Sequence, residues 1–428
     1  MAASTHDATA VSALGTLADG VVGAGLPDGR LQLELAGIEI DWWIGADDGW
    51  KLAPTSRAFR PGVAPAIEAR VRVPGGEAVL RAYAVTQSGV PLVVADLENA
   101  SPGAAVVAWV VRAATGYRIG GVALEGTTLQ IDERARIELP RVPSRWAVEP
   151  RATGVHDRVI EGRAAAGRFE PVTTRRGNLE IALLFPIAHR TRTRIAASAA
   201  VATNTSEAKA VARLPSLADV ERGWVAALER GTGVELPDER MQVALDAARA
   251  TLVLGAAGGP GRDRVVATEL VAWGFAPGRP GRRGSGDTGD PWPLLNATSG
   301  ASGSSPRRAA EWLRSLREAV VRVTRDGVDL LPHFPHAWLG QPVAVHDLPT
   351  PHGPVSFALR WHGAKPALLW DVPAGTSVRA PGLDESWTSG GGAGEALLAE
   401  IDPTRLLPLR ATSGSDPGVI IDEPGSFT

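Results

Sequence analysis

The spacing of apolar residues changes near Pro215 of this 428-residue chain, and that change limits the folds open to it. Up to about Leu214 the text is a series of short runs, among them "LQLELAGIEIDWWIG", "PLVVADLENASPGAAVVAWVVRA" and "LEIALLFPIA", divided by Gly, Pro, Asn and Asp. Within "IEARVRV" the apolar Ile67, Ala69, Val71 and Val73 alternate with charged residues, the period of two expected of a half-buried antiparallel strand. The Pro-Gly-Gly after it turns the next strand back as a hairpin. Repeated roughly ten times or more, the pattern predicts a large antiparallel sandwich.

From Ser216 the period becomes helical. Ser216 with Asp219 opens like a capping box, and Leu217, Val220, Trp224, Ala227 and Leu228 form one stripe, so a connecting helix should lead out of the sandwich. After Pro237 and Asp238 a second helix carries Met241, Ala244, Leu245, Ala248 and Leu252 on one face, with Gly255 as its stop. A shorter helix is expected over Asp263 to Trp273. Another begins with Ser305 as N-cap and Pro306 at the first helical position, and buries Ala309, Trp312, Leu313, Leu316, Val320 and Val323. Between these two, "APGRPGRRGSGDTGD" has no regular period. After Asp326-Gly327 the β runs return in "PVAVHDLP", "GPVSFALRWHG" and "KPALLWDVP", followed by a tail from about Asp402 that reads as an extended strap. The expected organisation is mainly β with α: an N-terminal antiparallel β super-sandwich over 1–214, a linker helix over 215–235, a helical segment over 236–325, and a small C-terminal β domain with its tail over 326–428.

The net charge of −3 gives no reason to expect nucleic acid or an anionic membrane as a partner. With no cysteine, disulfides, thiolate metal sites and Cys nucleophiles are excluded. Neither a stretch of about 18 uninterrupted apolar residues nor a basic start before an apolar run is found, so no membrane span and no export signal are read, and the cytoplasm is the expected compartment.

"IEARVRVPGGEAVLRAYAV" and "VVADLENASPGAAV" in the first part, with "HDLPTPHGPVSFALRWHGAKPALLWDV" and "RAPGLDESW" in the last, give the chain a resemblance to the six-hairpin glycosidase-like proteins, closest to actinobacterial members. The resemblance implies a β super-sandwich, an (α/α)6 barrel and a small closing β domain, with catalytic carboxyls on loops at one end of the barrel. The departure lies in the middle. A full ring of helices needs roughly 350 residues, and Pro237 to Val323 offers under ninety, so the helical segment is read as a truncated barrel. Where proteins with the full barrel tend to carry Trp-Pro-Glu and a Gly-rich turn holding Asp and His, this chain has Trp292-Pro293-Leu294 and "SGASGSS".

Glycosidic hydrolysis takes two carboxyls across the bond, about 5–9.5 Å apart according to mechanism. Glu269, beside Leu270 and near Trp273, and Asp287 and Asp290 in the Gly-rich loop are the candidates, and no pair stands out. Asp238 reads as a helix cap, while Asp246, Glu311 and Glu318 fall off the apolar stripes and read as solvated. His333, His336, His346, His352 and His362 gather in the last β unit without an acidic or His partner at metalloenzyme spacing, so neither a metal nor a cofactor is expected. Trp42, Trp109, Trp224 and Trp312 lie in strand or helix patterns and read as core, whereas Trp273, Trp292 and Trp338, near loops or element ends, are candidates to stack on a carbohydrate ligand.

The expectation is a glycoside hydrolase-like protein of carbohydrate metabolism without identifiable catalytic carboxylates, acting in carbohydrate binding or as a scaffold. An active hydrolase or phosphorylase with a shortened cleft is one alternative. A structural protein docking a partner is another, because removing most of a ring should uncover apolar helix faces, and association into a homo-oligomer is the simplest cover for them.

Overall fold

The computed structural model describes residues 12–175, 177–199, 211–257, 263–278, 280, 295, 305–402 and 406. Among these the first part forms two sheets facing each other. The nine-stranded one is centred on Ile38–Ala46, Ala105–Ala113 and Leu179–Ile187, and the eight-stranded one on Gly76–Gln87, Val90–Asn99 and Arg192–Ala199. Their central pairings are antiparallel, as the period of two requires. Ile38, Ile40, Trp42 and Ile44 from one strand, with Val107, Trp109 and Val111 from the next, meet Ala69, Leu80 and Leu97 of the opposite sheet in one core. Trp42 and Trp109 stand directly opposite in the register, and each is 1% exposed.

The central strands read as nearly continuous apolar runs because their outer face is also covered. Trp43, Ala108, Val110, Ala182 and Leu184 pack there with Val155 and Val159, around the short helix α1 (His156–Ile160). On the eight-stranded sheet one charged residue departs from the alternation. Glu68 is only 4% exposed, because Arg70 and Arg81 both grip its carboxylate, at 2.6 and 2.8 Å.

Helix α2 (Leu217–Leu228) has the expected capping box: Ser216 Oγ accepts the Asp219 N–H, and the Asp219 carboxylate accepts the Ser216 N–H. It does not lead away from the sandwich. Leu217 and Val220 pack against Tyr83 and Leu214 on the outer face of the eight-stranded sheet, while Trp224 and Leu228 meet Ala13 and Ala64. Glu221 of this helix accepts the N–H groups of Val63 and Ala64, and Arg60 reaches across to the Ala247 carbonyl at 3.3 Å, so the loop at 60–64 is fastened to two helices.

Helix α3 (Glu239–Ala257) starts where the Asp238 carboxylate accepts the Met241 N–H at 3.1 Å. Met241, Ala244, Leu245, Ala248 and Leu252 enter one core, and Ala250 and Leu254 enter another on the sandwich side. Gly255 does not stop the helix, which continues to Ala257. A Cβ there would lie 2.6 Å from the Pro306 Cβ, so the residue is a contact point between helices and its lack of a side chain serves close approach.

Helix α4 (Arg264–Ala272) is capped by Asp263, and α5 (Pro306–Val320) by Ser305, with Pro306 inside the first turn as expected. The chain then passes into a four-stranded sheet made of Val321–Val323, Gly327–Leu330, Ser377–Ala380 and Asp384–Ser389. The middle two of these run parallel. A five-stranded antiparallel sheet pairs Gly233–Glu235, from the segment expected to be linker, with Val343–Thr350, and continues through Gly353–His362, Lys365–Val372 and Gly392–Leu397. Helices and C-terminal strands share one core that includes Leu245, Trp312, Leu316, Val345, Phe357 and Leu368. The uncovered helix faces expected above are therefore corrected: Leu245, Leu252, Leu313 and Leu316 are each 0% exposed within the single chain, and isolated residues such as Val243 remain outside. No described helix is long and apolar enough to cross a membrane.

Gly255→Ala tests the contact with Pro306. Alanine is the better helix former by about 1 kcal/mol, whereas crowding a packed contact costs about 1–3 kcal/mol. A net loss on the order of 1 kcal/mol is expected in urea unfolding; equal or higher stability would show that the two helices have room to part.

Candidate functional site

The sequence candidates separate into three groups. Glu269, on α4, is 0% exposed, and its two oxygens face Arg314 and Arg317 of α5: Arg314 Nε lies 2.9 Å away, and Arg317 Nε and Nη2 both lie at 3.4 Å. The two arginines, three apart on one helix, present the same face to the carboxylate. Glu269 thus does not face a pocket, and its lone pairs are occupied by guanidinium N–H groups. The signal for this was the Arg314/Arg317 spacing at the edge of the α5 stripe, which reads as solvated until the two helices are seen to pack.

Trp273 and Trp338 are 0% and 1% exposed. Trp273 ends α4, and its carbonyl accepts the Thr232 N–H at 2.9 Å. Trp338 lies in the short turn His336–Trp338, edge-on to Phe334 at 6.3 Å between ring centres. Neither offers a ring face to solvent, so the stacking expected of them is replaced by core packing, because both element ends turn inward onto the shared core. Trp42, Trp109, Trp224 and Trp312 are buried at 1–2% exposure, as their strand and helix positions imply. Asp287, Asp290 and Trp292 lie outside the described residues.

Among the described residues no three His, Asp or Glu side chains converge as a metal site. His352 Nε2 lies 3.1 Å from the Thr324 carbonyl, and His346 sits 3.8 Å from Glu235. Asp329, 1% exposed, repeats the Glu269 arrangement, gripped by Arg322 at 2.8 Å and Arg379 at 2.7 Å.

An open cavity of about 430 Å³ lies at the end of the C-terminal sheets, between the segments 332–334, 381–386 and 399–402. Pro332, Phe334, Pro381, Leu383, Ile401 and Leu406 border it on the apolar side, Pro332, Phe334, Leu383 and Ile401 being themselves buried, and His333, Asp384, Glu385, Ser386, Glu400 and Asp402 form its polar rim. Two backbone features shape it. Leu331 takes a left-handed φ of 47°, which turns the following segment, and Gly382 sits so close beneath it that a Cβ would fall 2.2 Å from the Leu331 carbonyl oxygen. Asp384 shapes the turn at 384–386. The Ser386 hydroxyl donates to its carboxylate at 2.7 Å and the Ser386 N–H at 2.9 Å. Hydrogen bonding from the Ser386 side chain, and then from the N–H groups of Ser386, Trp387 and Ala399, holds the Asp384 carboxyl below the usual range against the opposing effect of partial burial. His333 and the stretch "RAPGLDESW", which holds Asp384, Glu385 and Ser386, are visible in the sequence, but their meeting at one cavity is not. "DES" at 384–386 is a turn signal, and only the approach of three separated segments makes it a wall.

No family model matches the chain, and no curated protein matches it. Among solved structures it is similar to a bacterial glucoamylase complexed with acarbose, with a TM-score of 0.38 at 7% identity over 57% of this chain and 40% of that one. It is also similar to a family GH92 alpha-mannosidase from Bacteroides thetaiotaomicron, with a TM-score of 0.23 at 10% identity over 55% of this chain and 34% of that one. Both neighbours are glycoside hydrolases, and the chain spans well under half the length of either.

Two measurements check these geometries. Glu269→Gln leaves Arg314 and Arg317 facing a neutral group and should cost about 2–4 kcal/mol in urea unfolding, less than a fully enclosed pair because the arginines are 34% and 16% exposed; a change within experimental error would mean the arginines are satisfied by solvent. For Asp384, a lowered folded pKa means that its contribution to stability is present above the ordinary carboxylate range and is lost as pH falls through the lowered value. A carboxyl-carbon NMR titration should place its midpoint below about 3.9, the free aspartate value, and a midpoint at or above that would remove Asp384 as the residue that shapes this turn.

Proposed function

We propose that the protein is a glycoside hydrolase-like protein of carbohydrate metabolism that binds carbohydrate without cleaving it, and that the C-terminal cavity is its binding site. The observation that carries this reading is the mixed chemistry of the cavity, where Pro381 and the edges of more buried apolar side chains border carboxylates and the Ser386 hydroxyl. A sugar ring has the complementary halves. Its C–H faces pack on apolar surface, and its hydroxyls donate to acceptors at the rim. The resemblance carried by "RAPGLDESW" points to the same class of ligand, and Asp384, Glu385 and Ser386 lie within that stretch.

Turnover would require one carboxyl placed to protonate a leaving oxygen and another placed to activate water. Glu269 fits neither role, because its oxygens are directed at Arg314 and Arg317 inside the core.

Titration of the isotope-labelled full chain with neutral mono- and oligosaccharides should give saturable NMR shifts at Gly382, Leu383, Ser386 and Ala399, with no released sugar in a parallel turnover assay. Cleavage of any glycoside would overturn the non-catalytic part of the reading. Absence of shifts at those residues across a broad panel would overturn the binding part.

A further inference from the structure

The strand Gly392–Leu397 ends the five-stranded sheet, and among the described residues it pairs only with Lys365–Val372. The phase of that pairing fixes where its backbone points. The Leu398 N–H donates to the Pro366 carbonyl at 2.9 Å, so Gly392, Gly394 and Ala396, in step with Leu398, are the residues bonded to the neighbouring strand. The N–H and C=O groups of Ala393, Glu395 and Leu397 therefore point out of the sheet, and no described residue bonds to them. Another edge of the molecule is closed by its own loop. On the outer strand Ile67–Val73, Glu68 exchanges backbone bonds with Phe59 at 2.7 and 3.0 Å, the Arg70 carbonyl accepts the Thr55 N–H at 2.7 Å, and the Arg72 N–H donates to Thr55 Oγ1 at 2.8 Å. Nothing comparable among the described residues covers 392–397.

An open edge is a template for another strand unless something opposes the pairing. Neither a proline, a lysine nor a bulge interrupts Gly392–Leu397. Ala393, Glu395 and Leu397 lie exposed on the outer face of the sheet, Leu397 at 58%. Two copies related by a two-fold axis and pairing through all these outward residues set Ala393 of each opposite Leu397 of the other, and Glu395 opposite itself. The apolar pairs favour this contact, whereas like charges directly opposite destabilise it. Nothing beside Glu395 neutralises it: the residue opposite in the next strand is Leu369, and beyond that Ala358.

We propose that the edge at Gly392–Leu397 fits a second copy of this chain, in antiparallel pairing of the strand with itself, and that Glu395 holds this association off by facing its own counterpart. The backbone and the apolar pairs supply the complementarity, and one carboxylate per chain decides whether it is used.

Sedimentation velocity of the full chain at low salt and rising concentration tests this. Glu395→Gln keeps the shape of the side chain and removes its charge, and should raise the self-association constant about tenfold over that of the unaltered chain. Adding Leu397→Pro to that variant should return it to monomer, because the N–H lost points outward and is not one the sheet uses; an unchanged melting temperature shows that the fold is kept. Glu395→Lys should be monomeric alone, since lysine then faces lysine, yet form one-to-one pairs when mixed with the unaltered chain, and these should weaken in high salt. If Glu395→Gln associates no more than the unaltered chain, whether both are monomers or both dimers, the role of Glu395 is overturned. A lysine variant that fails to pair with the unaltered chain overturns the two-fold pairing. Dimers that persist with Leu397→Pro lie on another surface and overturn the proposal as well.

Discussion

Helix α3 lies between two cores, and the small residues along it set the distance between the halves of the molecule. Leu245 and Leu252 face the helices and C-terminal strands, while Ala250 and Leu254 face α2 and the sandwich. On the sandwich side Gly15 admits Leu254, whose methyl would lie 2.6 Å from a Cβ at that position, and on the other side Gly255 admits Pro306. Interiors pack too densely to absorb extra methylenes at such points, so the alanines and glycines here fix geometry as much as any large side chain does. Arg249 enters this junction as well, donating to the Leu228 carbonyl at 2.6 Å with its guanidinium 5.5 Å above the Phe275 ring, and burial, opposed by Asp246, lowers its pKa.

A second constraint recurs across the fold: a shielded carboxylate is gripped by two guanidinium groups. Glu68 has Arg70 and Arg81, Glu269 has Arg314 and Arg317, and Asp329 has Arg322 and Arg379. Arginine suits this role because its planar fork offers several donors in fixed directions. Removing a carboxylate from water is costly unless its lone pairs are satisfied, so each clasp offsets much of the desolvation that would otherwise exclude the acid from the core. The chemical consequence is the same each time. An acid held this way orients neighbouring elements, with both oxygens turned toward guanidinium groups and away from any substrate.

What could be read in the sequence was what depends on neighbours along the chain. The period of two in Ile67–Val73, the capping box of Ser216 and Asp219, the Ser305-Pro306 helix start and the Asp238 cap are all local, and each is present in the structure. Features that depend on contacts between distant segments were hidden. Gly255 looks like a stop until Pro306 is placed against it, Glu269 looks like a lone acid until α5 supplies its arginines, and Trp273 and Trp338 look like surface rings until their element ends fold inward. The helix stripes lack a visible partner in the sequence because some of the strands that cover them lie more than a hundred residues later in the chain.

The cavity belongs to that hidden class, and its position follows from how the helices are used. Glu269, the acid on these helices singled out for chemistry, is committed to holding the shared core, and Trp273 lies within it. Groups able to meet a ligand are left to the turns at the ends of the C-terminal strands, where backbone geometry, more than helix packing, directs them. Leu331 and Gly382 set the approach of two turns, and Asp384 fixes the second of these through hydrogen bonds from Ser386 that compete well even when exposed, since one partner is charged. A site built this way depends on a few local bonds that the rest of the fold does not need. Its rim can therefore change in charge or length while the cores on which the molecule stands remain as they are.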